Sequence, residues 1–220
     1  MNHSPVRVRA VLFDWDGTLL NSYAADSRAY LAMFREMKIN WTIEDLDRHY
    51  SPNWYRVYRA ARLPRALWQE ADAQWALAYD QEKPRLLPGS RGVLRRLSQD
   101  FRLGIVTSGN RRRVRRQLHS YELREYFSAC VCAEDTAKKK PHPEPLHLAL
   151  KRIRCHRQEA VYVGDTAEDM EMARRAGVRA IGVRGPFPTA ARLVAARPDV
   201  LLNCIRELPK YLRLLTTDEA

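Results

Sequence analysis

Short, continuous apolar runs that alternate with helix-period segments restrict the fold of this chain more than any other feature. The runs are rich in Val, Ile or Leu, and continuous apolarity is typical of strands buried on both faces of a parallel sheet. Six runs fit this description: Val8 to Phe13, Leu103 to Val106, Ala129 to Val131, Ala160 to Val163, Ala180 to Val183 and Val200 to Leu202. Helical periodicity occurs between them, in Gly92 to Leu97, Arg111 to Leu123, Glu144 to Ile153, Ala167 to Ala176 and Thr189 to Ala195. The alternation predicts an α/β fold with a doubly wound parallel sheet and helices on both faces.

One long interval interrupts the alternation. Between Leu19 and Pro88 no convincing strand is found, and the segment reads as helices at Tyr23 to Met37, Ile43 to His49, Trp54 to Ala61 and Arg65 to Gln81. We therefore predict an α/β core formed by residues 1–18 and 89–220. Residues 19–88 would form an inserted α-helical cap domain.

Polar side chains follow several of the predicted strands. Asp14, Asp16, Gly17 and Thr18 come directly after the first run, and Thr107 follows the second, in "VTSGN". Lys140 lies in "KKKPHPEP", before the fourth run, and Asp165 and Asp169 follow that run in "VGDTAEDM". Ligands of open α/β sheets bind beyond the carboxyl ends of the strands, so we expect these side chains to meet at one edge.

This set of motifs resembles the haloacid dehalogenase-like (HAD-like) hydrolase superfamily. The motifs occur in the family's order: D-x-D-G-T from Asp14, a strand that ends in Thr107, Lys140 before a proline, and G-D-x-x-x-D with Asp165 and Asp169. The chain looks most like the phosphatase branch with a helical cap, which includes phosphoglycolate phosphatase-like enzymes. An acid at position 16 favours phosphate esters over carbon–halogen bonds, because a departing alkoxide needs a proton and a halide does not.

The resemblance implies a role for each acid. Asp14 would be the nucleophile that forms an aspartyl-phosphate, and Asp16 would be the general acid and then the general base. The implied cofactor is Mg²⁺, with ligands from Asp14, the backbone carbonyl of Asp16 and Asp165. Asp169 would hold a metal-bound water or orient Lys140.

The resemblance also implies a phosphate-binding set. The hydroxyl of Thr107 and the amide of Ser108 would bind phosphate oxygens, and Lys140 would balance the negative charge. Gly17 would permit a turn in which backbone amides face the phosphate, and Thr18 belongs to the same loop. The family pattern Leu-x-Asp-Ser reads "LLNS" here, so Asn21 replaces an acid.

The predicted cap contains the stretch "HYSPNWYRVYRAARLPRALW". Its aromatic and arginine spacing favours an amphipathic helix with the arginines in solvent. A second interpretation is that Arg56 or Arg59 reaches a carboxylate or a second phosphate of a small anionic substrate, such as phosphoglycolate.

Charge and cysteine content bear on partners and location. The formal net charge is +12, and the densest basic run, Arg111 to His119, is interpreted as a solvated helix face; a polyanion site and a general attraction for anionic substrates are the alternatives. Neither a zinc-finger spacing nor an RNA-binding strand pattern is present, so nucleic acid is an unlikely partner.

The four cysteines contain no C-x-x-C pair, and we expect reduced thiols in a cytoplasmic protein; they are Cys130, Cys132, Cys155 and Cys204. No apolar run approaches the ~20 residues of a membrane span, and the first ten residues lack the apolar region of a secretory signal.

The predicted function is a Mg²⁺-dependent phosphatase that acts on a small-molecule phosphate ester. A phosphomutase that acts on a sugar phosphate through the same intermediate is the alternative within enzymes. A basic nucleic-acid-binding protein on a HAD scaffold is the alternative from another class. The sequence leaves the oligomeric state open between a monomer and a homodimer.

Overall fold

The predicted α/β sheet is present in the computed structural model, which describes residues 8–217. The strands are β1 Ala10–Phe13, β2 Leu20–Asn21, β3 Arg85–Leu86, β4 Arg102–Val106, β5 Phe127–Val131, β6 Ala160–Gly164, β7 Arg179–Val183 and β8 Val200–Leu202. Six of them form one parallel sheet in the order β5-β4-β1-β6-β7-β8. Each of the six apolar runs of the sequence therefore contributes one strand, and the fold class is confirmed.

Ten α-helices accompany these strands among residues 8–217. They are α1 Tyr23–Glu36, α2 Ile43–His49, α3 Trp54–Ala60, α4 Trp68–Asp80, α5 Ser90–Leu97, α6 Arg111–Ser120, α7 Glu144–Ile153, α8 Ala167–Ala176, α9 Ala190–Ala195 and α10 Leu208–Thr217. Several expected helix bounds differ by one or two residues, and two differ by three. Helix α4 is preceded by a 3₁₀ turn at Arg65–Leu67, and α6 ends before Glu122, which has a left-handed backbone. The last helix, α10, was not predicted.

Both faces of the large sheet are covered. Side chains of α5, α6 and α10, among them Leu94, Val114 and Leu212, pack against one face. Side chains of α7, α8 and α9, among them Leu150 and Ala173, pack against the other. Because each face is sealed by helices, the strands are apolar throughout, which is the pattern that the sequence displays.

The segment between β1 and α5 has a hydrophobic cluster of its own. Tyr30, Phe34, Leu46 and Val57 are buried there, with contributions from helices α1, α2 and α3. The expectation of no strand between Leu19 and Pro88 is wrong in one detail. Strands β2 and β3 pair antiparallel, Leu20 with Leu86, where the chain leaves and re-enters the core. Two residues are too few to produce a periodic pattern, so the sequence gives no signal for this pair.

Candidate active site

Three of the predicted site residues lie at one edge because their strands are neighbours. Asp14 follows β1, Thr107 follows β4 and Asp165 follows β6, and β1 lies between the other two strands. The amide of Asp14 donates to the carbonyl of Val163 at 2.8 Å, so the strand pairing continues up to the acid itself. The expected convergence at the carboxyl edge of the sheet is therefore present for these residues.

Lys140 lies between two carboxylates. Its Nζ donates to Asp14 Oδ1 at 2.6 Å and to Asp169 Oδ1 at 2.8 Å. The Lys140 side chain is only 3% exposed, so the ammonium is removed from water and depends on these two partners. The hydroxyl of Tyr162 donates to the same oxygen of Asp169 at 3.0 Å. Lys140 is thereby fixed beside the carboxylate of Asp14.

Asp169 is occupied by protein donors. In addition to Lys140 and Tyr162, its Oδ2 accepts from the amide of Thr166 at 3.1 Å and from the hydroxyl of Thr166 at 2.6 Å. The side chain of Thr166 in turn accepts from the amide of Asp169, which completes a capping box at the start of α8. Of the two roles expected for Asp169, these contacts fit the one that orients Lys140.

Asp165 has one satisfied and one unsatisfied oxygen. Its Oδ1 accepts from the hydroxyl of Thr18 at 3.0 Å. Its Oδ2 is buried and has no hydrogen-bond partner among the described residues. A buried carboxylate oxygen without a partner is costly, and a bound cation would satisfy it.

Gly17 makes the close approach to Asp165 possible. Its backbone has a φ of 84°, and a Cβ at this position would lie 2.3 Å from Asp165 Oδ2 and 2.7 Å from the ring of Phe187. Any other residue would be strained in this conformation and would clash with the acid. The glycine predicted for a turn here is required by both conditions.

Three acids form a cluster with the geometry of a cation site. One carboxylate oxygen from each of Asp14, Asp165 and Asp169 lies within 4.8 Å of the others. Burial raises the pKa of Asp14 to about 7, although Lys140 opposes the shift. Burial, reinforced by the charge of Asp14, raises the pKa of Asp165 well above its usual value. If all three acids were ionised, they would carry more negative charge than Lys140 alone can balance. The carboxylate of Asp16 is outside this cluster.

Asp16 instead binds Arg113 of helix α6, a contact that was not predicted. Arg113 Nη1 donates to Asp16 Oδ1 at 2.9 Å and Nη2 donates to Oδ2 at 2.7 Å. Burial opposes ionisation of Asp16, but the guanidinium beside it holds the pKa of this carboxyl below its usual value. The bidentate ion pair thus favours the ionised form of Asp16.

The basic run on α6 is consequently not a uniform solvated face. The side chain of Arg112 is 81% exposed, as expected, but that of Arg113 is only 7% exposed. Arg113 shares a buried stripe of the helix with Val114, Gln117 and Leu118. This i, i+1, i+4, i+5 spacing was the signal in the sequence that could have identified it.

A cavity of about 290 Å³ adjoins the acids. Asp14, Asp16, Thr107 and Ser108 line it from the side of the sheet. The hydroxyl of Thr107 also accepts from the amide of Gly109 at 3.0 Å, which fixes its position. Four of the expected site residues therefore share one cavity, whereas Gly17, Thr18 and Lys140 are not among the residues that line it. Its volume is at the lower end of the ~300–1,000 Å³ that is typical of small-molecule sites.

The two predicted cap arginines do not reach this cavity. Arg56 Nη1 lies 3.4 Å from Glu168 Oε1 in an ion pair. The guanidinium of Arg59 lies over the ring of Trp68, 5.7 Å from its centroid, and borders a separate outer depression. The opposite wall of the main cavity is formed by other side chains of the helical segment, among them Asp26, Tyr30, Trp54, Asp72 and Trp75.

Two acids of that wall escaped the sequence analysis. Burial raises the pKa of Asp26 to about 8, and the charge of Asp16 adds to the shift. Burial also raises the pKa of Asp72. Asp26 precedes the buried Tyr30 by four residues on α1, and Asp72 precedes Trp75 by three on α4. Helical spacing from aromatic residues was the available signal in both cases.

No helix in the described part of the chain has the length and apolarity needed to cross a lipid bilayer. The described cysteines are all free.

Comparison with known proteins agrees with the fold and with the motifs. A pyrophosphatase PpaX of Bacillus velezensis is 28% identical over 207 residues, which cover 92% of this chain and 95% of that protein. A solved structure described as a predicted phosphoglycolate phosphatase from Haemophilus somnus superposes with a TM-score of 0.82 at 19% identity, over 93% of this chain and 97% of that one. CbbY from Rhodobacter sphaeroides, solved with phosphate, gives a TM-score of 0.75 at 23% identity, over 91% and 96% of the two chains. At these identities the two structures show the fold alone.

The family profile described as haloacid dehalogenase-like hydrolase matches residues 11–183, a range that contains Asp14, Thr107, Lys140, Asp165 and Asp169. The match covers most of the chain and confirms the resemblance that the motifs indicated. This protein belongs to the haloacid dehalogenase-like hydrolase family.

Proposed function

We propose that this chain is a Mg²⁺-dependent phosphatase that hydrolyses a small phosphate monoester, with Asp14 as the nucleophile. The observation that carries the proposal is the setting of the Asp14 carboxylate. Lys140 donates to it at 2.6 Å, and it lines a cavity together with Thr107 and Ser108. A carboxylate beside an ammonium group and hydroxyl donors is suited to attack on phosphorus, because those donors stabilise the charge that develops on the phosphoryl oxygens.

The first half of the reaction transfers the phosphoryl group to the enzyme. A carboxylate oxygen of Asp14 bonds to phosphorus as the bond between phosphorus and the ester oxygen breaks. The departing oxygen takes a proton from the carboxyl group of Asp16, which lines the same cavity. The product alcohol can then leave, and an aspartyl-phosphate remains on Asp14.

The second half regenerates the enzyme. The carboxylate of Asp16 removes a proton from a water molecule, and the water oxygen bonds to phosphorus. The bond between phosphorus and Asp14 breaks, which releases inorganic phosphate and restores both acids. The Thr107 hydroxyl and the Ser108 amide would bind phosphoryl oxygens throughout, and Lys140 would balance their charge.

The residues present fit a divalent cation. The Oδ2 of Asp165 has no partner among the described residues, and ionisation of Asp14, Asp165 and Asp169 together would leave negative charge uncompensated. Mg²⁺ prefers oxygen ligands, and Asp14, Asp165 and the backbone carbonyl of Asp16 would hold it. When bound, the ion would neutralise charge on the phosphoryl group and polarise it for attack.

We also propose that residues 19–88 act as a cap that excludes water from the cavity. Two contacts support this role. The hydroxyl of Ser51 donates to Glu168 Oε1 on α8 at 2.9 Å. The ring of Tyr50 stacks on Phe187 of the core at a centroid distance of 4.7 Å. A cap in this position would retain the substrate between the sheet and the helical segment while the phosphoryl group is transferred.

The proposal is tested by replacing the nucleophile. Asp14→Asn should abolish hydrolysis of p-nitrophenyl phosphate, and acid-quenched wild-type enzyme should carry one phosphoryl group on Asp14, detectable by mass spectrometry. Asp100→Asn removes the same charge from an exposed side chain and should be fully active. Turnover by Asp14→Asn at more than about a tenth of the wild-type rate would remove Asp14 as the nucleophile. Phosphoryl return to a sugar without steady release of inorganic phosphate would identify a phosphomutase instead.

A further inference from the structure

The wall of the cavity that faces away from the sheet is acidic and aromatic. Asp26 of α1 and Asp72 of α4 line it, together with Tyr30, Trp54 and Trp75. Neither acid forms a salt bridge with any residue in the described range 8–217. Asp72 accepts a hydrogen bond from the hydroxyl of Tyr58 at 2.8 Å, so part of its capacity is already used. Asp26 therefore has no ion-pair partner of its own, although the charge of Arg113 favours its ionised form.

The cations near this wall are committed elsewhere. Arg113 makes its two short hydrogen bonds to Asp16, and Lys140 lies between Asp14 and Asp169. Arg56 is paired with Glu168 outside the cavity. A leaving group that carried a carboxylate or a second phosphate would face Asp26 and Asp72 without a free cation among the lining residues. Burial already opposes ionisation of Asp26 and Asp72 and raises the pKa of each, and an anionic group beside them would oppose ionisation further. This wall therefore disfavours anionic leaving groups.

Aromatic rings complete the acidic wall. The rings of Tyr30 and Trp75 meet at a centroid distance of 6.1 Å and an interplanar angle of 59°. Tyr79 stacks on Trp75, and the guanidinium of Arg113 already lies 5.8 Å from the centroid of the Trp75 ring, so this ring attracts a cation. The indole of Trp75 lies close to the carboxyl of Asp26, and that of Trp54 lies close to Asp72. Carboxylates set among tryptophan and tyrosine faces are the surroundings in which proteins bind ammonium groups, because ring faces and carboxylates both attract a cation.

We propose that the leaving group of the phosphate ester carries a cationic nitrogen, an ammonium or quaternary ammonium group, which Asp26 binds between Tyr30, Trp54 and Trp75. The proposal rests on the phosphatase function proposed above and names its substrate class. Phosphorus would lie at Asp14 and the cation at the opposite wall, within a cavity of about 290 Å³ that suits a compact molecule. Asp72 would contribute charge from further out, since it also borders the outer depression near Arg59.

The first test compares two esters of equal shape. Phosphocholine carries a trimethylammonium group, and 3,3-dimethylbutyl phosphate carries a tert-butyl group in the same place. Wild-type kcat/KM for phosphocholine should exceed that for the neutral ester by about tenfold or more. 2-Phosphoglycolate and inorganic pyrophosphate, which bear anionic groups, should be poorer than the neutral ester. Equal rates for the two shape-matched esters, or a preference for the anionic compounds, would overturn the proposal.

The second test removes the charge of Asp26. Asp26→Asn should lower the ratio of kcat/KM between phosphocholine and the neutral ester by about fivefold or more. Glu70→Gln removes an exposed acid of α4, the helix that carries Asp72, and should leave that ratio unchanged. An unchanged ratio in Asp26→Asn would exclude Asp26 as the cation-binding residue.

A third measurement does not depend on any variant. Choline should inhibit hydrolysis of p-nitrophenyl phosphate by wild-type enzyme at concentrations at which 3,3-dimethylbutanol does not, and equal inhibition would contradict the proposal. The controls also distinguish a failure of the phosphatase function from a failure of the proposed substrate class. If p-nitrophenyl phosphate is not hydrolysed at all, the phosphatase function fails; if it is hydrolysed but charge has no effect, only the substrate class fails.

Discussion

The guanidinium of Arg113 binds both carboxylate oxygens of Asp16, at 2.9 Å and 2.7 Å. The two residues are 97 positions apart in the chain, and the pair joins the loop after β1 to the first turn of α6. In the proposed reaction, Asp16 must hold a proton when the product alcohol departs and must be ionised when water attacks. Arg113 favours the ionised form and fixes where the carboxylate stands. It is a positioning residue for the proposed reaction.

Arg113→Met should impair catalysis most where a proton is needed by the leaving group. An alkyl phosphate releases a basic alkoxide, whereas p-nitrophenyl phosphate releases a stable anion. We expect kcat/KM for the alkyl ester to fall by about tenfold more than kcat/KM for the aryl ester, because a misplaced general acid loses part of its ~10²–10⁴-fold contribution. Arg112→Met, which alters an exposed neighbour, should affect neither ester. Equal losses on both esters would show that Arg113 acts only through stability.

Removal of Asp165 should abolish metal-dependent stabilisation. Without metal, Asp165→Asn should be at least as stable as wild type, because the substitution removes one of three crowded buried acids. Added Mg²⁺ should raise the Tm of wild type, in line with the ~2.7 kcal/mol that a ligand at 100 times its Kd contributes. The Tm of Asp165→Asn should not respond to Mg²⁺. A similar response in both proteins would place the cation elsewhere.

The sheet was predictable because its strands are buried on both faces. Continuous runs such as Ala160 to Val163 leave little alternative to a central strand, and all six runs entered one sheet. Strands β2 and β3 were not predictable, since a pair of two-residue strands has no period. Helix α10 was not predicted because it follows the last strand, and the alternation of apolar runs with helical segments ends there.

The site was predictable where it depends on strand ends and not where it depends on helix rotation. Asp14, Thr107 and Asp165 follow adjacent strands, so the order of the sheet brings them together. Arg113 and Asp26 reach the cavity only because α6 and α1 turn those faces inward. Charge alone suggested that a basic run was solvated, and it left open a role for two cap arginines at the substrate. The buried neighbours of each residue, rather than its charge, were the informative pattern.

Gly17→Ala should damage stability and activity together. A Cβ would lie 2.3 Å from Asp165 Oδ2, and the backbone at φ 84° is unfavourable for alanine. We expect the free energy of unfolding to fall by ~2 kcal/mol or more, from left-handed strain plus the clash. Gly92→Ala provides the matched control, because nothing lies within 4 Å of the added methyl on helix α5. That variant should gain ~0.5–1 kcal/mol. Chemical denaturation of both variants measures the contrast, and a neutral Gly17→Ala would contradict the geometry of the loop.

Asp26 should make the protein less stable as pH rises. Its pKa is about 8 in the folded chain, against a usual value of 3.8. Between these values the unfolded chain loses a proton that the folded chain retains, so the free energy of unfolding falls with increasing pH. Asn at this position cannot ionise, so Asp26→Asn should gain stability over wild type, more at pH 8 than at pH 5. The carboxyl opens onto a cavity that water can enter, so we expect a difference of ~1–2 kcal/mol rather than the full value of the shift.

Denaturation of wild type and Asp26→Asn at the two pH values measures this difference. The contributions of the other titrating groups cancel, because both proteins contain them. Asp100→Asn, whose side chain is 57% exposed, should show equal effects at both pH values. If the stability change of Asp26→Asn is also equal at both pH values, the surroundings of Asp26 do not oppose its ionisation. The proposed ammonium site would then lose the unpaired acid on which it depends.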